Sequence, residues 1–390
     1  MKLIPIKDLK FADYNPRKIS KENFERLRRS IKEFGFTVPN TVNSHNGREN
    51  VLIGGHMRTR AAEAEGMTEV PCWIIDVDPQ KERMLNVALN NPHLAGDWDD
   101  QMLAEMLVKL NDEGADVKLT GFDEDQVTRI LDDYMDIGGG DAPPEPPKGE
   151  PESKVGEIYE LGPHRLMCAD CTDIGNVSRL MGDKKANLVF TDPPYGVDYD
   201  GGATTPREKL LNDDGDGSIY ARFLAVCTSY IDDNAALYIW FAGVRCLETA
   251  GALTDAGWTI RSLLIWNKLK AHFGALGAQY KHRYEPFFYC HKRGHSPRWY
   301  GPSNEVSVWD QAQPSNNEHH PTEKPLQLAV RAILNSSIRG DIVMDVFGGS
   351  GTTLIASERT GRVCYMMELD PRYCDVIRKR YAAYVEKGTK

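Results

Sequence analysis

The 390-residue chain is expected to be α/β: a parallel, doubly wound sheet with helices on both faces, preceded by a smaller α/β unit. Three observations carry this expectation. From about residue 155 onward, short apolar runs alternate with helical patterns, the order that builds parallel βαβ layers. Ahead of them, residues 136–154 (DIGGGDAPPEPPKGEPESK) hold five prolines and five acids and almost nothing to bury, as an extended linker does. The composition, 41 % apolar and 27 % charged, is that of a globular chain with apolar residues enough for two cores.

Before the linker, Phe24, Leu27, Ile31 and Phe34 recur at helical spacing in KENFERLRRSIKEFG, and Gly35 follows as a C-cap. NVLIGG and VPCWIIDV read as short buried strands around a helix in HMRTRAAEAEG. Two amphipathic patterns, DDQMLAEMLVKLNDEG and FDEDQVTRILDDYM, predict a helical extension. The expected domains are therefore 1–95, an extension at 96–135, the linker at 136–154, and a second domain at 155–390.

After the linker, RLMCAD, ANLVFTD, AALYIWFA, RSLLIWNK, DIVMDVF and VCYMMELD read as strands, with helices such as 325–337 and 371–385 between. Ligands of such sheets sit at the carboxyl ends of the strands, and the polar clusters fall there. DVFGGSGTT, from Asp345 to Thr353, is a strand-to-helix turn whose Gly348, Gly349 and Gly351 let a ligand approach the backbone. It lacks the lysine of a phosphate loop. About twenty residues later Glu368 ends the next strand, where a carboxylate accepts both hydroxyls of a ribose. A nucleoside-type cofactor suits this pair. Asp170, at the end of a further strand, is either a reader of the adenine or a helix N-cap.

TDPPY, from Thr191 to Tyr195, ends another strand. An exocyclic amine on a nucleobase is a poor nucleophile because its lone pair is delocalised into the ring. Acceptors aimed at the amine hydrogens favour a more tetrahedral nitrogen. The Asp192 carboxylate and the Pro193 carbonyl, stiffened by Pro193 and Pro194, supply two such acceptors, and Tyr195 offers a face for stacking the base.

The net charge of −10 argues against indiscriminate nucleic-acid binding, but between Arg261 and Tyr300 eight Lys/Arg accompany a single acid, Glu285, with aromatics interleaved. Lys268, Lys281, Arg283, Lys292, Arg293 and Arg298 are the candidates for nucleic-acid contact. Cys168 and Cys171 form one CxxC without a second pair, so no metal site is expected. The N-terminus is charged throughout and no apolar run reaches membrane length; a cytoplasmic location without membrane contact is expected.

With DPPY, HPTEKP, DVFGGSGTT and MELDPRY in this order, residues 155–388 resemble the beta-type AdoMet-dependent amino-methyltransferases of DNA. The resemblance implies a Rossmann-like sheet, S-adenosyl-L-methionine as cofactor and double-stranded DNA as partner. It implies a cofactor loop of Asp345, Phe347, Gly349, Ser350, Gly351 and Thr352, a ribose at Glu368, and a methionine carboxylate at Thr322 and Lys324. Asp192, Pro193, Pro194 and Tyr195 then hold a flipped base. The glycine loop follows the catalytic motif, an order that favours DNA over protein or RNA, and the target-recognition insert falls near 266–310. Asp as first motif residue favours adenine N6 over cytosine N4. No restriction-nuclease signature is present, so a solitary methylase is expected.

NPR at Asn15, LRRSIKEFGFTVP and IGGHMRTRAAEAEGMTEVP resemble the ParB/sulfiredoxin-like fold over residues 1–95. Its G-x-x-R hallmark is Gly55-His56-Met57-Arg58, and glycine amides at a helix N-terminus beside an arginine suit a phosphate. His56 stands where sulfiredoxins carry cysteine, which excludes sulfinic-acid reduction. A nucleotide switch, a DNA-contacting accessory, a nuclease and a diverged scaffold all stay open, nuclease activity being least supported. The oligomeric state, a homodimer included, is open too.

Overall fold

The computed structural model describes residues 1–91, 98, 100–113, 115–134, 143–147, 149–195, 218–269, 279–312 and 324–388, and it divides into two compact units, 1–135 and 136–390.

The first unit runs β1 (Lys2–Pro5), β2 (Lys10–Phe11), α1 (Lys21–Phe34), β3 (Asn40–Asn43), β4 (Val51–Gly54), α2 (His56–Ala64), β5 (Glu69–Ile75), α3 (Pro79–Leu89), α4 (Asp100–Asp112) and α5 (Glu124–Tyr134). Its five strands lie in the order β1-β5-β3-β4-β2. The expected first helix is α1. Ser20 caps it by accepting from the Asn23 amide (3.1 Å), and Gly35 ends it at φ 72° with its N–H on Ile31 O (2.9 Å). Ile31 is buried with Val42, Leu52, Ala61 and Val70, and Phe24 and Leu27 pack against them. Phe34, the fourth apolar position of the pattern, is 57 % exposed and lies outside this core. The extension belongs to this unit: Arg26 on α1 pairs with Asp123 (2.7 Å), just ahead of α5.

The second unit runs β6 (Ile158–Leu161), β7 (His164–Cys168), α6 (Ile174–Met181), β8 (Ala186–Thr191), α7 (Ile219–Cys227), β9 (Ile231–Trp240), α8 (Cys246–Asp255), β10 (Trp258–Asn267), β11 (Tyr284–Lys292), β12 (Val308–Asp310), α9 (Leu326–Ser336), β13 (Ile342–Asp345), α10 (Thr352–Thr360), β14 (Val363–Glu368) and α11 (Pro371–Gly388). Nine strands form one sheet in the order β12-β10-β11-β9-β8-β13-β14-β7-β6. Successive residues of the central strands feed opposite faces, as in Leu188 and Phe190 on one and Val189 on the other, so a strand such as β8 reads as a continuous apolar run.

The sheet is mixed rather than wholly parallel. β11 pairs antiparallel with both β9 and β10, and β6 with β7. β11 and β12 lie within 266–310, so much of the expected insert is part of the sheet. The cause is visible in YEPFFYCHK, which the cationic character of its surroundings disguises: Phe287, Phe288, Tyr289 and Cys290 are all buried. Among the described residues no helix is long and apolar enough to cross a membrane.

Candidate active site

The parallel strands β7, β14, β13, β8, β9 and β10 end on one edge of the sheet, and β11 starts there, with Glu285 paired to Trp266. Every strand-end cluster of the sequence meets at this edge.

Gly351 caps α10 in the left-handed region (φ 87°) and Gly349 has φ 52°, so the turn after β13 needs glycine at both positions. A Cβ on Gly351 would stand 3.1 Å from Ile377. Gly351→Ala is expected to cost about 1–3 kcal/mol through the strained backbone, read as a lowered melting temperature; an unchanged melt would contradict this.

Glu368 accepts the Gly349 amide at Oε2 and the Asp370 amide at Oε1, both at 2.8 Å. A carboxylate has about four lone-pair sites, so two remain for a diol. A Cβ on Gly349 would meet nothing within 4 Å, which leaves room beside that carboxylate. These residues fit a ribose-bearing cofactor. Burial pushes the Glu368 carboxyl up to about 7, against the pull of the Asp370, Gly349 and Leu369 amides.

The other members of the glycine loop are held by the protein itself. Asp345, 4 % exposed, accepts from Thr191 Oγ1 (2.9 Å), Thr353 Oγ1 (2.6 Å) and the Phe347 amide (3.1 Å). It ties β8 and β13 to α10 rather than facing a ligand, and burial lifts it to about 7. Arg380 on α11, which no motif of the sequence singles out, donates to Ser350 O (3.0 Å), Ser350 Oγ (3.1 Å) and Thr352 Oγ1 (3.3 Å). Phe347 meets Phe223 edge-on at 5.2 Å. Asp170 is not a helix cap: it accepts the Thr172 amide and hydroxyl (2.8 Å each), and α6 is capped by Asp173.

Beside this loop lies a charged cluster. Lys324 donates to Asp192 Oδ2 (2.5 Å) and Tyr195 OH (3.1 Å) and stands 3.0 Å from Glu285 Oε2. Lys268 meets Glu285 Oε1 at 2.5 Å, and Tyr195 OH donates to Glu285 Oε2 at 3.3 Å. The Lys324 ammonium lies over the rings of Trp240 (4.9 Å) and Tyr195 (5.5 Å), and Lys268 lies over Trp266 (4.9 Å). Asp192 Oδ1, by contrast, is buried without a partner among the described residues.

Burial raises Asp192 and Glu285 alike, but their environments part them. Asp192 stays raised despite Lys324, with the Glu285 charge adding to the burial. Glu285, between Lys324 and Lys268, falls to about 2. Burial lowers Lys324, yet the two carboxylates outweigh it and leave the ammonium favoured. Tyr195 is pushed well up by burial and then by Asp192 and Glu285, so it is a neutral phenol.

Two expectations change here. An ammonium has three N–H donors, and those of Lys324 are matched by Asp192, Glu285 and Tyr195; a cofactor carboxylate would have to displace one of them. Glu285, in the sequence only the lone acid of a basic stretch, is a hub of the site. Thr322 lies outside the described residues.

The basic candidates separate. Lys268, Lys281 and Arg283 lie at the site edge, where Lys281 and Arg283 are exposed beside Tyr280 and Tyr284. Lys292 pairs in register with Trp258 at the far end of β10, and seven residues of strand from Glu285 to Lys292 span roughly 23 Å. Lys292 is engaged by Ile231 O (2.6 Å) and Asp233 (3.2 Å), Arg293 by Thr254 O (2.8 Å), and Arg298 by Asp232 (3.7 Å). These three face away from the site and serve the fold instead.

In the first unit, Gly55 starts α2 at φ 102°, and a Cβ there would stand 1.8 Å from Asn40 Oδ1. His56 is 6 % exposed and its Nε2 accepts the Ala12 amide (3.3 Å); burial, then Arg60, lowers its pKa. It is a neutral packing residue, not an anion ligand. Arg58 keeps a buried Nε without a partner among the described residues, and burial together with Arg17 lowers its pKa.

A doubly wound α/β fold with a glycine turn, a strand-end acid and a buried carboxylate–lysine cluster at one sheet edge is the class this geometry defines. Residues 186–379 match the DNA methylase family of the N6/N4 type, residues 1–91 the ParB N-terminal domain, and residues 101–155 the ParB-methyltransferase HTH domain. The chain belongs to the N6/N4 DNA methyltransferases and carries a ParB-like domain ahead of the methylase. The helix-turn-helix match covers α4 and α5, where the amphipathic patterns suggest no more than an extension. Similar proteins include the type II methyltransferase M2.MboI of Moraxella bovis, 23 % identical over 224 residues (51 % of this chain, 81 % of that one). M2.DpnII of Streptococcus pneumoniae is 24 % identical over 227 residues (52 % and 85 %). A putative DNA modification methylase from Thermus thermophilus, solved with S-adenosyl-L-methionine, is 24 % identical with a TM-score of 0.41, covering 57 % of this chain and 94 % of its own.

Proposed function

We propose that the chain transfers a methyl group from S-adenosyl-L-methionine to the exocyclic amine of a base flipped from duplex DNA, adenine N6 in preference to cytosine N4. The observation that carries this is the buried Asp192 Oδ1, unpartnered among the described residues, at the same end of the sheet as the Glu368 carboxylate and its open glycine turn. When bound, the cofactor supplies a methyl group on a sulfonium. Glu368 accepts the ribose hydroxyls with its two remaining lone-pair sites. Asp192 Oδ1 accepts a hydrogen of the amine, which localises the nitrogen lone pair, and Pro193 O accepts the other. Tyr195 stacks the base, and the Lys281–Arg283 segment meets phosphates. The test is transfer of labelled methyl to duplex DNA followed by methylation-aware sequencing; a protein that binds cofactor and labels no DNA would sink the reading, and labelled cytosine would move it to N4.

For the first unit we propose a phosphate-bearing ligand, a nucleotide, at the N-terminus of α2, because the buried Arg58 Nε has no partner among the described residues. Arg58→Ala is expected to abolish binding of inorganic phosphate or nucleoside triphosphate, measured by calorimetry. Retained binding would leave this unit as a scaffold.

A further inference from the structure

We propose that Glu285 is a positioning residue for methyl transfer: by clamping Lys324, it fixes Asp192 with Oδ2 engaged and Oδ1 presented to the amine. The inference rests on the amine-transfer reading above. Its basis is the connectivity of the cluster. Asp192 Oδ2 accepts from Lys324. Lys324 is held in turn by Glu285 and Tyr195, and Glu285 is itself gripped by Lys268 and Tyr195. A long lysine side chain has many rotamers, so an ammonium bound to Asp192 alone would leave that carboxylate free to rotate. The second carboxylate removes this freedom. It arrives on β11, a strand hydrogen-bonded into the sheet, whereas Asp192 lies beyond the end of β8. The rigid strand therefore orients the strand-end carboxylate.

Charge gives Glu285 a second effect. Lys324 is shared between two anions, so Asp192 is not neutralised by a private ion pair and keeps its strength as an acceptor. The groups facing Asp192 are Lys324 ahead of α9, Tyr195, Glu285 on β11 and Asp345 on β13; Lys268 beyond β10 and Tyr220 on α7 act on it through Glu285 and Tyr195. Among these, the Glu285 charge raises Asp192 and the Lys324 charge lowers it. Removing the Glu285 charge leaves the lysine acting alone, so the Asp192 carboxyl must ionise at lower pH.

The experiment is steady-state and single-turnover methylation by the full chain, as wild type, Glu285→Gln and Glu285→Asp, across a pH series with labelled cofactor. For Glu285→Gln a fall in kcat of about tenfold to a hundredfold is expected from the misplaced carboxylate, with cofactor affinity unchanged and the acid limb of the rate profile moved to lower pH. Glu285→Asp keeps the charge with a shorter reach: kcat falls and the acid limb stays. Wild-type kcat in Glu285→Gln overturns the proposal, as does a fall in kcat and cofactor affinity together with an unmoved acid limb. If Glu285→Gln does not fold, wild-type kcat in Glu285→Asp overturns it. A wild type that labels no DNA overturns the amine-transfer reading itself, and the two failures are thereby distinct.

Discussion

Asp192→Ala is expected to lower methyl transfer to DNA by about 10²–10³-fold, the loss typical of a preorganised group aimed at the developing charge, with cofactor affinity unchanged. The argument is one of supply. In the site cluster, Asp192 is the carboxylate with a buried oxygen lacking a partner among the described residues, while both oxygens of Glu285 meet lysines. Alanine removes that acceptor and leaves the amine with the Pro193 carbonyl alone. Asp192→Asn is expected to be milder than alanine, because the amide keeps one acceptor oxygen, but worse than wild type, because its NH₂ meets the Lys324 ammonium as donor to donor. Single-turnover transfer under saturating cofactor separates this from a binding defect. Methylation at the wild-type rate by Asp192→Ala would show that another group holds the amine.

The two halves of this site differ in how openly the sequence displays them, and the reason is local geometry. Asp192, Gly349 and Glu368 each lie at or just beyond the end of a strand, so their position at the sheet edge is inherited from the strand pattern. Glu285 joins its partners in space without any nearby sequence cue: it lies 90 positions from Tyr195, at the start of a strand that runs against its neighbours. Antiparallel direction brings the beginning of β11, not its end, to the site edge. The same reversal sends Lys292, Arg293 and Arg298 to the opposite edge, although in the sequence they share one basic stretch with Lys281 and Arg283. Composition reports that cations are near each other along the chain; only strand direction reports which of them are near the chemistry. Asp345 illustrates a different limit. Its place at a strand end suggests a ligand contact, yet three hydrogen bonds from Thr191, Thr353 and Phe347 occupy it inside the protein.

Glu368→Gln is expected to weaken cofactor binding by about 10–100-fold, since one hydrogen bond to a charged group is worth about 1.5–3 kcal/mol and the amide retains a single acceptor oxygen. Titration sharpens the test. The Glu368 carboxyl is raised from 4.5 to about 7 by burial, and the ionised form is the one able to accept both hydroxyls. Cofactor affinity should therefore climb as pH rises through about 7 and level off above it, while Glu368→Gln, having no proton to lose, should give a flatter curve. Stability runs the other way. A carboxyl whose folded pKa lies above its unfolded value binds the proton more tightly when folded, so its contribution is full below about 4.5 and is lost as pH rises through about 7. Without cofactor, the stability difference between Glu368→Gln and wild type should grow in favour of the variant from about pH 5 to about pH 8, as read by denaturant titration. Cofactor should reverse that order at the upper pH, because it binds the anion and only the wild type can supply one. Parallel pH curves for the two proteins would mean that Glu368 does not titrate at the site, and equal cofactor affinity would remove it from the ribose.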